Sequence, residues 1–247
     1  MEEANIDKIE DLLNTKKFFE AFEMIDNILK ENGDEKDDIV EILEASGENF
    51  ISEEDNESAE KVFKKEILIE PVNGYFNLGL VYIDMNRNDD AIGNFKKSTD
   101  YGNNSADIYK FIGMAYMNKE DYDNAIIHLN KSVSIEENFE NNHYLGLSYL
   151  GKENYDGAIK FFNRACDIKE NYETLHYLGL AHLGKENYDE AINFFTKSLN
   201  RNTDFADAYY YRGMAYYAIE NEIEAIKDYK KACDLNNEYL DLPYECY

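Results

Sequence analysis

The sequence predicts an all-α solenoid of stacked antiparallel helical hairpins, and three observations carry that prediction. Residues 151–162 read GKENYDGAIKFF, and the phrase returns 33 residues later as GKENYDEAINFF at 184–195. Glycines stand at 79, 113, 146, 179 and 213, in steps of 34, 33, 33 and 34. Alanines at 91, 125, 158, 191 and 225 keep the same steps. Two independent columns sharing one rhythm over five units mark a tandem repeat. A period of this length belongs to units that cannot bury both faces alone and therefore stack. Composition agrees, since 44% hydrophobic residues exclude a disordered chain while 2 Pro and 13 Gly leave room for long helices.

In chain order, residues 1–71 read as two degenerate hairpins. Ile9, Leu12, Phe18, Ala21 and Ile25 fit the first, with KKFFEAFEMIDNILKEN as its second helix and an acidic connector around Asp34–Asp38. Leu43, Gly47, Phe50, Ala59, Phe63 and Pro71 fit the second; Gly47 to Gly79 and Ala59 to Ala91 are both 32 steps. Five well-matched units follow at 72–105, 106–138, 139–171, 172–205 and 206–237, giving about seven hairpins.

In the first helices, apolar residues recur four and one before the glycine and three after it, as in Tyr75, Leu78, Gly79 and Tyr82. In each second helix the alanine is followed by a bulky residue four on and a small one seven on, as in Ala158, Phe162 and Ala165. Both spacings trace one face of a helix. The small columns let antiparallel helices approach, and aromatics fill the gaps beside them. Polar turns such as Asn118-Lys119-Glu120-Asp121 separate the helices; Gly151 and Gly184 suit helix C-termini, and Asp121, Asn154 and Asn187 suit N-caps. The last ten residues, 238–247, contain Pro243 among Tyr239, Leu240, Leu242, Tyr244 and Tyr247. They are expected to fold back as an irregular capping tail.

The L-G-x2-Y column stands as LGLVY at 78–82, IGMAY at 112–116, LGLSY at 145–149, LGLAH at 178–182 and RGMAY at 212–216. Together with A-x3-F in the second helices, it resembles the tetratricopeptide repeat (TPR) family over residues 72–237. The departures are specific. The Trp column holds Tyr75, Tyr109, Asn142, Leu175 and Tyr209, His182 replaces a Tyr, and Arg212 replaces a Leu. The closing proline is absent from all five units, where Asn103, Glu137, Glu170, Thr203 and Asn237 stand.

The resemblance implies a right-handed superhelix whose first helices line a peptide-binding groove. That groove face holds the residues six and three before each glycine and one after it. They lie roughly 150° from the packing stripe at 100° per residue. The residues are Asn73, Phe76, Leu80; Asp107, Lys110, Met114; Glu140, His143, Leu147; Glu173, His176, Leu180; and Asp207, Tyr210, Met214. The outer column is acidic in four units, the middle one aromatic or imidazole in four, and the inner one always Leu or Met. An apolar floor with an acidic rim suits a peptide bearing apolar side chains with Lys or Arg. The Leu and Met column reads equally as packing between neighbouring first helices. Members that clamp acidic chaperone tails carry Asn in the inner column and bases beside it; Lys110 is the one base here, so that ligand is excluded.

Other chemistries find less support. Net charge is −27, with residues 1–71 carrying 23 acids against 8 bases, which repels nucleic-acid phosphates and anionic lipid. RNA binding by pentatricopeptide-like hairpins is the weaker alternative, opposed by the period and the charge. Glu140-x2-His143 and Glu173-x2-His176 resemble half of a di-metal site, but a solenoid does not converge four helices on one point. No metal or cofactor is expected. Cys166 and Cys233 follow small residues in second helices and read as packing; Cys246 completes a set too small for a disulfide framework. His128 is a lone helix-surface residue, and no Gly-rich phosphate loop or nucleophilic constellation occurs, so no enzyme is expected. The acidic N-terminus is not a secretory signal and no long apolar run occurs, so a cytoplasmic protein is expected. The predicted function is a protein-interaction scaffold, a monomer favoured, with a self-associating structural solenoid as the alternative.

Overall fold

The computed structural model describes residues 2–31 and 35–236. They fall into two compact units, divided between Lys119 and Glu120. The first holds α1 (Glu2–Asn14), α2 (Phe18–Glu31), α3 (Lys36–Ser52), α4 (Asn56–Ile67), α5 (Pro71–Asp84), α6 (Asn88–Asp100) and α7 (Ala106–Asn118). The second holds α8 (Tyr122–Ile135), α9 (Phe139–Gly151), α10 (Tyr155–Ile168), α11 (Tyr172–Gly184), α12 (Tyr188–Arg201), α13 (Ala206–Ala218) and α14 (Glu222–Leu235). Among the described residues every regular element is helical, and within the units α1–α2, α3–α4, α5–α6, α9–α10, α11–α12 and α13–α14 pack as helical hairpins. The expected helical-hairpin architecture is therefore present in each unit. The tail expected to cap the array, 238–247, lies outside the described residues.

Two sequence expectations are corrected at the start of the chain. Asp37 and Asp38 belong to the first turn of α3 rather than to a connector, where acidic side chains favour a helix N-terminus. Pro71 occupies the first turn of α5, where its fixed φ and missing N–H cost nothing.

The core of five hairpins is a glycine facing a ring. A Cβ built on Gly146 would stand 2.6 Å from Phe162, and one on Gly213 would stand 2.9 Å from Tyr229. Gly47, Gly79 and Gly179 meet Phe63, Phe95 and Phe195 in the same way. All four phenylalanines are essentially fully buried, as are Ala59, Ala91, Ala158 and Ala191 one turn earlier in the same helices. The glycine column is thus the socket for the aromatic column of the partner helix.

Gly151 and Gly184 have a different role from the one expected of helix-terminating glycines. Both lie within the final helical turn, and neither has a positive φ. A Cβ on Gly151 would strike the Tyr122 ring, and one on Gly184 would strike Tyr155. The left-handed residue lies two positions on, and it is not glycine. Lys16, Glu54, Asn86, Glu120, Glu153, Glu186 and Glu220 all have φ between 55° and 61°. In the α9–α10 turn, Glu153 N–H donates to Leu150 O at 2.9 Å and Asn154 N–H to Tyr149 O at 2.8 Å, closing a Schellman motif. Asn154 then caps α10 by accepting from Gly157 N–H at 3.0 Å. Asp121 does the same for α8, whereas Asn187 holds the N-cap position without a side-chain cap bond. A side chain at a left-handed position carries a cost of roughly 1 kcal/mol. Glu153→Gly combined with Glu186→Gly should therefore raise stability by about 0.5–1 kcal/mol per site, read as an upward shift of the urea midpoint.

Arg212 stands where the other units place Leu or Ile, and α14 answers it. Its Nε donates to Asp228 Oδ2 at 2.7 Å and its Nη2 to Oδ1 at 2.8 Å. Nη1 reaches Thr196 Oγ1 at 3.0 Å. Asp228 is buried, and the guanidinium lies against the Tyr209 and Tyr216 rings. His182, the other departure, stacks on Phe194 at 5.2 Å just as Tyr149 stacks on Phe161 at 5.4 Å one unit earlier.

Candidate functional site

The candidate face is carried by successive first helices: α5 and α7 in the first unit, and α9, α11 and α13 in the second. Caps set where each begins. Ser105, Asn138 and Asn171 accept backbone N–H bonds from Ile108, Asn141 and Thr174. The outer column therefore falls in the first turn or two of each helix, where carboxylates are favoured.

Glu140 and Glu173 are exposed and Asp207 is half-exposed. In the first unit Asp107 is exposed and pairs with Lys110 at 2.8 Å, while exposed Asn73 donates to Glu44 Oε1 at 3.0 Å. The inner column is half-buried throughout: Leu80, Met114, Leu147, Leu180 and Met214. Leu80, Leu147 and Leu180 also pack on the buried cores of their units, the packing role considered for this column. Met214 lines a cavity of about 370 Å³ with Leu183, Tyr217, Ala218 and Tyr229.

The middle column is largely drawn into packing. His176 is 4% exposed, with its ring 4.8 Å from Phe205, 5.4 Å from Phe195 and 5.6 Å from Tyr211. His143 lies 5.7 Å from Phe162 and 5.6 Å from Tyr177, with Nδ1 3.0 Å from Thr174 Oγ1. Phe76 meets Phe95 and Phe111, each at 5.8 Å. Tyr210 meets Tyr229 at 5.8 Å, and Lys110, 8% exposed, lies over Phe111. A recurring ring cluster thus joins three helices: the middle-column residue, the second-helix aromatic, and a ring of the next first helix. Burial lowers the pKa of both imidazoles, that of His176 to about 4, with Asp207 opposing the shift only in part. Both rings are neutral at pH 7 and contribute shape rather than charge. Among the described residues no group of three His, Cys, Asp or Glu is placed to hold a metal ion. Burial likewise pushes the half-buried Cys166 thiol up to about 11, so it is not a thiolate nucleophile.

One station of this ladder is polar, and sequence reasoning missed it. In the second hairpin, Glu44 holds the middle position, three before Gly47, and Asn77 holds the place of Phe111, Tyr177 and Tyr211. Glu66 stands seven after Ala59, where the later units have Ser98, Ser132, Ala165, Ser198 and Ala232. Glu66 is 0% exposed and accepts from Asn77 Nδ2 at 3.1 and 3.3 Å. Burial, reinforced by Glu44 and Glu70, pushes its carboxyl up to about 8. It is protonated at neutral pH. Extending backwards by one unit the small column seven residues after each alanine would have exposed it, because a Glu in a small, buried column breaks the pattern.

Comparison with known proteins follows the same division of the chain. The Tetratricopeptide repeat family profile matches residues 72–101 and 106–139. The profile described as Anaphase-promoting complex, cyclosome, subunit 3 matches residues 151–232. No curated protein matches the chain at the sequence level. Among solved structures, YrrB, described as a TPR protein with an unusual peptide-binding site, is 25% identical; the match covers 72% of this chain and 94% of that one with a TM-score of 0.62. MamA from Desulfovibrio magneticus RS-1 is 17% identical over 68% of this chain and 97% of its own, with a TM-score of 0.65. A chain of an APC/C hetero-tetramer is 16% identical over 94% of this chain and 45% of that one, also at 0.65.

Proposed function

The chain is a tetratricopeptide repeat protein, a protein-interaction scaffold, and from that premise we propose that its first-helix face binds a peptide or protein segment bearing basic and apolar side chains. The observation that carries this reading is the pairing, in α9, α11 and α13, of accessible Glu140, Glu173 and Asp207 with half-buried Leu147, Leu180 and Met214. Apolar side chains of the ligand find the floor, and its bases meet the rim. The peptide-binding site named for YrrB supports a peptide as the occupant. The half-buried, neutral His143 and the Tyr210 ring add surface without positive charge, which disfavours an acidic ligand. Members of the family are generally non-enzymatic scaffolds, and no described helix is long and apolar enough to cross a membrane.

Blocked peptides of alternating Leu and Lys, and of alternating Leu and Glu, provide the test. The Lys peptide should bind and weaken as salt rises, and Glu140→Lys, Glu173→Lys and Asp207→Lys together should weaken it at least tenfold and flatten the salt dependence. Tighter binding of the Glu peptide, or an indifferent triple variant, would reject this reading.

A second reading, self-association, is favoured by one observation. Lysines of successive turns pair with aspartates of the preceding second helix, as Lys119 with Asp89, Lys152 with Asp123 and Lys185 with Asp156. In the last hairpin the corresponding lysine and aspartate positions hold Ile219 and Ile223, and Ile223 is 71% exposed beside exposed Ile226 and Tyr217. Light scattering separates the readings: a larger species that Ile223→Asp disperses supports self-association, and a single-chain mass for the unmodified protein removes it.

A further inference from the structure

The first two hairpins enclose a cavity of about 290 Å³ between α1 and α3. Ile6, Ile42 and Ala45 make its apolar walls, and Glu10, Asp38 and Glu41 its acidic ones. The repeat register places it. Ile9 lies twelve residues before Ala21, as Gly47 lies twelve before Ala59. Ile6 and Glu10 are therefore the middle and inner positions of α1, and Glu41 is the outer position of α3. Three of the cavity's lining residues thus stand at groove columns of the first unit, in a stretch whose sequence had shown only decayed repeats.

Charge and hydrogen bonding say what it takes. No Lys or Arg lines the cavity, and none of its three carboxylates forms an ion pair among the described residues. Ser46 also lines it, is 3% exposed, and its hydroxyl has no hydrogen-bond partner among the described residues. Ser46 stands one before Gly47, in the column that holds Leu78, Ile112, Leu145 and Leu178 in the later units. The Ser46 oxygen opens on the cavity, and with the three exposed, unpaired carboxylates it offers a set of acceptors that a cationic donor matches.

We propose that this cavity receives a lysine side chain of the bound partner. The methylene stem lies along Ile6, Ile42 and Ala45, and the ammonium donates among Glu10, Asp38 and Glu41 with the Ser46 oxygen as a further acceptor. Lysine fits better than arginine because the acceptors surround a point instead of offering one planar carboxylate face to a fork. The proposal rests on the reading of the first-helix face as a peptide site and names where its charge is anchored.

The test titrates the full chain, labelled with nitrogen-15, with the blocked peptide Leu-Lys-Leu-Lys-Leu and follows backbone amides. Shifts at Ile6, Ile42 and Ser46 are expected. Asp38→Asn with Glu41→Gln should weaken binding about tenfold or more, as should norleucine in place of lysine, while the helical circular-dichroism signal stays unchanged. Shifts confined to α9, α11 and α13, with the double variant binding as the parent does, overturn the cavity and leave the face reading standing. The converse, loss in the double variant with indifference to charge reversal at Glu140, Glu173 and Asp207, keeps the cavity and rejects the wider face. A free amine, n-butylammonium, binding there as tightly as the peptide overturns the assignment to a partner's side chain. No shift with either probe at millimolar concentration overturns the proposal altogether.

Discussion

Replacing Asp228 with alanine should destabilise the last two hairpins by about 3–5 kcal/mol, among the largest effects of any single substitution in the second unit. The reason is what remains behind. Arg212 would keep its guanidinium between the Tyr209 and Tyr216 rings with both bidentate bonds gone and only Thr196 in reach. Removing the pair together gives a different answer. Arg212→Leu with Asp228→Phe restores the residue types that the unit before it carries at Leu178 and Phe194. That double variant should match or exceed the parent, because a well-packed apolar pair escapes the desolvation that a buried ion pair suffers. Urea denaturation of the two variants decides the matter. A mild single variant, or a double variant worse than the single, would show that the pair is not isolated from water in the way its geometry indicates.

Glu66→Gln should produce the second large effect, and its sign reverses the usual expectation for a carboxylate. The folded chain holds the Glu66 carboxyl neutral up to about pH 8, against an ordinary value of 4.5. Below pH 4.5 folded and unfolded forms are both protonated and the full stability is present. As pH rises from 4.5 to 8, the unfolded form gains by ionising while the folded form cannot, so stability falls. The groups around it fix the size of the effect: Glu44 from α3 and Glu70 beyond α4 raise the pKa, Asn77 from α5 lowers it, and Lys36 partly neutralises Glu70. Glutamine copies the protonated form. The variant should gain on the order of 2–4 kcal/mol at pH 8 and nothing at pH 4.5. Hydrogen exchange at α4 and α5, measured at both pH values, reads this unit separately from the other. His176 in the second unit contributes with the opposite slope, since its pKa is depressed: its contribution is present above pH 6.5 and fades as pH falls toward 4. Parallel pH profiles for the parent and Glu66→Gln would refute the assignment.

How much of this was legible depended on whether a constraint repeats. Gly79, Gly146 and Gly179 recur because each meets a ring that admits no Cβ, and recurrence let the hairpins be counted without any structure. The seven left-handed turn residues recur just as regularly but were hidden. Their conformation is shared while their identity, mostly Glu, is not the one that left-handed backbone selects, so propensity pointed to Gly151 and Gly184 instead. Helical periodicity placed His143 and His176 on one face of their helices. It could not show that rings from α10, α12, α11 and α13 close over them. Glu66 was missed for another reason. A decayed repeat is recognised by its matching columns, and the residue with the strongest chemistry is the one that does not match.

The lysine–aspartate rungs have a consequence for how such a chain changes length. Lys152 reaches back to Asp123 and Lys185 to Asp156, so each period offers the same acceptor forwards and the same donor backwards. The rings of Tyr122 and Tyr155, seated over Gly151 and Gly184, follow the same rule. A genetic slippage between the two copies of GKENYD would delete or duplicate 33 residues and rejoin Lys185 to Asp123, or insert one more identical joint. Neither event calls for a new kind of contact. The array is therefore editable in whole periods, and the near-identity of its third and fourth well-matched units at this phrase is the mark such an event leaves.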